Sequence, residues 1–201
     1  MHLGNIAIFG GTFNPIHYGH LLIAEQAVNT FDLDKLIFMP AGQPPHKDNN
    51  KIISAKNRME MLKLAIEDNS NFALSSYELD KQGKSYTVDT LRHFLDLKTV
   101  KEVFFIIGAD SLLDLFNWRQ ADFLIENASF IVALRPGFDI DLLFEDERYK
   151  PYKDNIYVMD SVFVDHSSTR IRNWLREGKS IRYQMPDAVI DYIHKYKLYK
   201  G

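Results

Sequence analysis

The chain has 201 residues, 46% of them hydrophobic, enough for one well-buried domain and marginal for two. Lys and Arg total 24 against 27 Asp and Glu, and a net charge of -3 argues against wholesale binding to nucleic acid or an anionic membrane, so any anion site must be local. The absence of cysteine excludes disulfides, thiolate nucleophiles and Cys-based zinc sites, and fits a reducing compartment.

Strand-like runs are predicted at residues 6–9, 36–39, 72–75, 103–107, 130–134 and 156–159. Helical patterns fall between most of them, at 20–29, 55–67, 88–97, 111–125 and 168–177. This alternation, with lengths that suit βαβ crossovers, predicts a parallel sheet. Val103 to Ile107 is apolar throughout instead of alternating, as expected for a strand with helices on both faces. The expected fold is therefore α/β, a single-domain, Rossmann-like, doubly wound parallel sheet. Residues 139–150, rich in charge, read as a solvated helix or loop. The basic and aromatic tail from Tyr192 to Lys200 reads as a terminal helix packing Ile190, Ile193 and Tyr196, in preference to a nucleic-acid contact. No apolar run is long enough to span a bilayer, and residues 1–4 carry no secretory pattern, so the cytoplasm is the expected location.

Open α/β sheets bind ligands beyond the carboxyl ends of their strands, so the segments that follow the strands carry the functional reading. After the first come Gly10 and Gly11, then His17 and His20 where a helix begins. Unpaired N–H groups and the positive end of the helix dipole favour an anion there, and a spacing of three lets both imidazoles reach one group. The second strand leads to a proline-stiffened loop ending in His46 and Lys47, and the fourth to Gly108-Ala109-Asp110. Asp110 could accept hydrogen bonds from ribose hydroxyls or help cap the next helix. After the sixth strand, Ser167-Ser168-Thr169-Arg170-Ile171-Arg172 supplies hydroxyls, a helix start and guanidinium groups, a second anion cradle.

Each cluster has a plainer reading. The glycine pair can be a tight turn, Ser167 or Ser168 a helix cap, His46 a surface residue and Trp118 a core anchor. His17 and His20 could be metal ligands, but no third ligand stands in helical register. No protein metal ligand is assigned. The first loop lacks the third glycine of the dinucleotide fingerprint. Gly83-Lys84-Ser85 and Gly178-Lys179-Ser180 lack the earlier glycine of a phosphate loop, having Glu78 and Asn173 there.

Gly10 to Pro15, the H-x-G-H of His17 and His20, and Ser167 to Arg172 resemble the signatures of the nucleotidyltransferase superfamily with the H-x-G-H motif. Within it the chain is most similar to the bacterial nicotinate-nucleotide adenylyltransferases, through Pro44 to Lys47, Ser85 to Leu91, Gly108 to Ser111 and Trp118. The resemblance implies one domain over residues 1–201, with a helical C-terminal part from about 166 to 201. It implies transfer of AMP from ATP to nicotinate mononucleotide in NAD biosynthesis. Magnesium would sit on phosphate oxygens and water. His17, His20 and Arg172 become the expected catalytic residues, at least one imidazole carrying a proton, with Ser168 and Thr169 beside Arg172 on the outer phosphates. Gly10, Thr12, Phe13, Gly108 and Asp110 complete the expected ATP site. Thr12, His46, Lys47, Tyr86, Thr87 and Trp118 would surround the nicotinate nucleotide, with Trp118 against the pyridine ring and N–H groups near Tyr86 and Thr87 on its carboxylate.

Two residues depart from the family pattern: Asn14 stands where many members carry Asp, and His166 where an aliphatic residue is usual. Other readings stay open: a sister transferase acting on nicotinamide mononucleotide, phosphopantetheine or a sugar or polyol phosphate, a non-catalytic nucleotide sensor, and an NAD-dependent oxidoreductase. ATP and nicotinate mononucleotide are the expected partners, without nucleic acid or membrane, and a homo-oligomer is left open.

Overall fold

Successive residues of the central strands point to opposite faces of one sheet, and each face meets its own helix layer. The computed structural model describes residues 3–42, 52–81, 83–134, 143–160 and 166–200. Six strands, β1 (Leu3–Gly11), β2 (Lys35–Pro40), β3 (Phe72–Leu74), β4 (Val100–Gly108), β5 (Ser129–Ala133) and β6 (Ile156–Met159), pair in the order β3-β2-β1-β4-β5-β6. All five pairings are parallel. Ala7, Phe9, Leu36, Phe38, Phe104 and Ile106 bury into one cluster. Their neighbours Ile6, Ile8, Ile37, Met39, Phe105 and Ile107 bury into the other. Two covered faces explain why these strands read as unbroken apolar runs.

Helix α1 (Tyr18–Phe31) links β1 to β2, and α2 (Ala55–Ile66) precedes β3. Ser54 caps α2 by accepting the Asn57 N–H at 3.3 Å. Two helices, α3 (Tyr77–Asp80) and α4 (Thr87–Leu95), lead to β4. The single helical stretch expected at 111–125 is instead three pieces, α5 (Ala109–Leu113), a 3-10 turn (Leu115–Asn117) and α6 (Ala121–Asn127). Gln120, with φ 56, turns the chain through the left-handed region just before α6. The last helices, α7 (Ser168–Arg176) and α8 (Asp187–Lys195), bury Ile171, Leu175, Val189 and Ile193 against the first cluster.

Two expectations are corrected at side-chain level. Tyr149, within the stretch read as solvated, is 1% exposed and its hydroxyl donates to the Leu112 carbonyl at 2.7 Å. Its ring packs edge-on against Phe116. In the tail, Ile193 is buried as expected, but Tyr196 is 51% exposed. Tyr199 does the anchoring, through a hydrogen bond to Asn14.

Candidate active site

The strand order reverses between β1 and β4, so the chain leaves these neighbours toward opposite faces and opens a crevice at their carboxyl ends. A cavity of about 340 Å³ lies there, lined by Gly10, Thr12, Glu78, Thr87, Gly108 and Trp118 among others. A second, of about 630 Å³, adjoins it through shared Ser85, Thr87, Ser111 and Trp118, and adds Tyr86, Asp110 and Arg119. The Arg119 guanidinium lies over the Tyr86 ring, 4.7 Å from its centroid. No side chain caps α4, so its first turn offers its N–H groups and positive dipole end beside Thr87.

The loop from β1 to α1 is shaped by Phe13. Its φ of 47 is unusual for a bulky residue, and the ring is held by Phe9, Phe38 and His20. A Cβ on Gly11 would stand 2.9 Å from that ring, so a side chain there would force the ring to shift. Because the ring is 2% exposed, Phe13 lies under the loop and does not line either cavity with its side chain.

His17 is the residue before α1 and His20 lies in its first turn, so the pair meets across a helix start. The rings stack with centroids 3.7 Å apart and planes 21° apart. The His17 N–H donates to His20 Nδ1 at 3.3 Å, so a neutral His20 carries its proton on Nε2. His17 is buried, and burial, with His166 adding to the effect, pushes its pKa down to about 4. It is therefore neutral at ordinary pH. Unfolding lets it bind a proton near 6.5, so stability should fall as pH drops from about 6.5 to about 4, by roughly 3 kcal/mol in all. A His17→Gln variant should lose that part of the slope in denaturant titrations across this range; an unchanged slope would contradict a buried neutral ring.

Helix α7 is bolted to the same loop. Ser168 Oγ donates to the Pro15 carbonyl at 2.8 Å, and Arg172 Nη1 donates to the Asn14 carbonyl at 2.8 Å. Arg172 Nη2 donates to Thr169 Oγ1 at 3.1 Å, which fixes the guanidinium plane. Ser168, Thr169 and Arg172 are thus brought to the His17 loop, next to the cavity wall that Gly10 and Thr12 form. His46 and Lys47 lie outside the described residues.

Two contributors carry no sequence signal. Arg58, on α2, is 2% exposed and donates to the carbonyls of Thr12 at 3.0 Å and Ala41 at 2.9 Å, tying the ends of β1 and β2 together. Burial lowers its pKa, although a guanidinium stays charged. The Tyr199 hydroxyl donates to Asn14 Oδ1 at 3.0 Å, and its partial burial raises its pKa. Asn14 Oδ1 also accepts the Ile53 N–H at 3.4 Å. The amide oxygen at position 14 is thus a structural acceptor beneath the loop. His166 Nδ1 bonds Gln184 Oε1 at 2.9 Å, and its ring centroid is 5.9 Å from that of His17. Among the described residues no group of three or more His, Asp or Glu is arranged to hold a metal ion.

Residues 8–174 match the cytidylyltransferase-like family. A protein of Desulfitobacterium hafniense named "probable nicotinate-nucleotide adenylyltransferase" is 45% identical over 197 residues, 97% of this chain and 95% of its own length. A protein of Clostridium tetani with the same name is 43% identical, over 96% of this chain and 98% of its own. Among solved structures, the Plasmodium falciparum nicotinic acid mononucleotide adenylyltransferase complexed with NaAD shares the fold. Its TM-score is 0.78 at 24% identity, with 97% of each chain covered. The chain belongs to the cytidylyltransferase-like family and, within it, to the nicotinate-nucleotide adenylyltransferases.

Proposed function

We propose that the chain transfers AMP from ATP to nicotinate mononucleotide, releasing pyrophosphate and forming nicotinate adenine dinucleotide, and that it works in the cytoplasm. The observation that carries this reading is one cavity joining the glycine ends of β1 and β4 to Thr87 and Trp118, with the stacked His17 and His20 rings and the Arg172 bond to Asn14 on the loop that continues from Thr12.

The acceptor's phosphate monoester has a second pKa of about 6, so it arrives as a nucleophile and needs no protein base. Its oxygen attacks the α-phosphorus of ATP in line, forming the new P–O bond as the bond to the leaving pyrophosphate breaks. The protein must hold two repelling anions in register and stabilise charge on the transferring and leaving groups. His20, through Nε2, and neutral His17 donate hydrogen bonds to the α- and β-phosphate oxygens. Arg172, with Ser168 and Thr169, takes the outer phosphates. Magnesium carried on ATP would be held by phosphate oxygens and water and would offset charge on the leaving group. Gly10, Phe13 by its main chain, Gly108 and Asp110 accommodate the adenosine half. On the acceptor side, Thr12, His46, Lys47, Tyr86, Thr87 and Trp118 surround the nucleotide, and the uncapped start of α4 meets the pyridine carboxylate.

The test is an assay with ATP, Mg²⁺ and, in parallel, nicotinate mononucleotide, nicotinamide mononucleotide and phosphopantetheine, following pyrophosphate release. Product only with the pyridine nucleotides, and most with the acid, is expected; no product with nicotinate mononucleotide refutes the proposal. Trp118→Ala should raise the KM for nicotinate mononucleotide about tenfold while the KM for ATP changes less than about twofold. Equal losses of both ligands in calorimetry would make Trp118 a core anchor.

A further inference from the structure

Glu78 places a carboxyl in the wall of a cavity whose neighbours are arranged for anions. It lines the same cavity as Thr87 and Trp118. Its Oε1 accepts the Thr90 hydroxyl at 3.1 Å, and its carboxyl accepts the Gly42 N–H. The main-chain carbonyl of Glu78 accepts Ser85 Oγ at 3.1 Å, joining α3 to the segment that begins α4. At Gly42 a Cβ would stand 2.3 Å from that carbonyl, so the loop after β2 must present glycine to pass. The carboxyl is therefore held by partners on two other segments and has little freedom to swing away.

We propose that Glu78 determines acceptor specificity: ionised, it repels the carboxylate of nicotinate mononucleotide, and protonated, it admits it, so preference over the neutral carboxamide of nicotinamide mononucleotide follows its charge.

Burial raises the Glu78 pKa, opposed by the Thr90 and Gly42 donors and by the Lys81 charge. Lys81 is already paired with Asp89 of α4, which weakens its hold on Glu78. The Gly42 N–H comes from the loop after β2, and the Met39 sulfur of β2 lies 3.9 Å from the Thr90 hydroxyl oxygen. An anionic acceptor in the cavity raises the pKa further, because two like charges across a partly dry space disfavour joint ionisation.

The inference rests on the acceptor reading above, and its test uses a ratio of two acceptors. Both carry the same phosphate, so its titration, the ATP side of the site and any loss of folded protein cancel. The ratio of kcat/KM for nicotinate over nicotinamide mononucleotide should fall roughly tenfold in the wild type as pH rises through the Glu78 transition, which lies above the ordinary glutamate range. In Glu78→Gln, where the amide oxygen still accepts from Thr90, the ratio should stay flat. Thr90→Val removes a donor that stabilises the ionised form, so its transition should move to higher pH. A flat ratio in the wild type, a slope that persists in Glu78→Gln, or an unmoved transition in Thr90→Val overturns the role of Glu78. Absence of turnover with nicotinate mononucleotide at every pH would refute the acceptor reading instead.

Discussion

Alanine at position 20 is expected to lower kcat by roughly a hundredfold to a thousandfold, the range for removing one preorganised donor from a site of developing negative charge. His20 is suited to that part because the main chain fixes the tautomer of its neutral ring. The His17 N–H occupies Nδ1, which leaves the proton on Nε2. The stacked His17 ring and the edges of Phe9 and Phe13 fix the plane in which that donor points. The effect on folding should be small, because the ring is only half-buried and the helix-start hydrogen bond it loses contributes about 1 kcal/mol. For a chain of this length that corresponds to a shift in Tm of roughly 2–4 °C. Pyrophosphate release at saturating substrates, measured beside thermal unfolding, separates the two effects. Near-normal turnover would remove His20 from the chemistry, and a large Tm drop would make it a structural residue.

How far the sequence reveals this site depends on whether a residue acts through a pattern or through its tertiary surroundings. The strands were legible because burial on both faces leaves long apolar runs, and their ends lie within about three residues of the observed ones. The His17 to His20 loop and the Ser167 to Arg172 segment were legible because both lie where a strand gives way to a helix start, a place visible in one dimension. The break between α5 and α6 was not, since neither Gly nor Pro marks it and Gln120 takes the left-handed turn. Tyr149 sits among charges and reads as solvated, yet its hydroxyl finds a carbonyl thirty-seven residues away in Leu112. Tyr199 and Glu78 are similar cases, because their partners, Asn14 in one and Gly42 and Thr90 in the other, belong to distant segments. The neutrality of His17 is hidden for the same reason. An imidazole beside a phosphate site invites a proton, but burial makes the free ring neutral.

Arg58 is the strongest case of a residue hidden in this way, and its replacement should have the largest effect on the fold of the site. In sequence it is one charge among Lys56, Glu60 and Lys63 on an amphipathic helix, where an exposed side chain is the usual outcome. In the fold its two terminal nitrogens bridge the carbonyls of Thr12 and Ala41, the residues that follow β1 and β2. Methionine could fill the space of the stem and supply neither bond. The Thr12 and Ala41 carbonyls would lose their donor, at about 1–3 kcal/mol for each acceptor left unmade, less where water can enter from the cavity. A total of about 2–4 kcal/mol, or a Tm lower by roughly 5–15 °C, is therefore expected for Arg58→Met. Lysine keeps the charge but, as a single flexible ammonium, cannot hold both carbonyls in the fixed geometry of a guanidinium, so Arg58→Lys should recover little. Because Thr12 and Ala41 line the cavity, loosening them misplaces both substrates. Below the new Tm, kcat/KM for ATP and for the acceptor should fall together, by more than about tenfold. Loss of stability with full activity in the folded fraction would show that the guanidinium braces the fold without setting the geometry of the site.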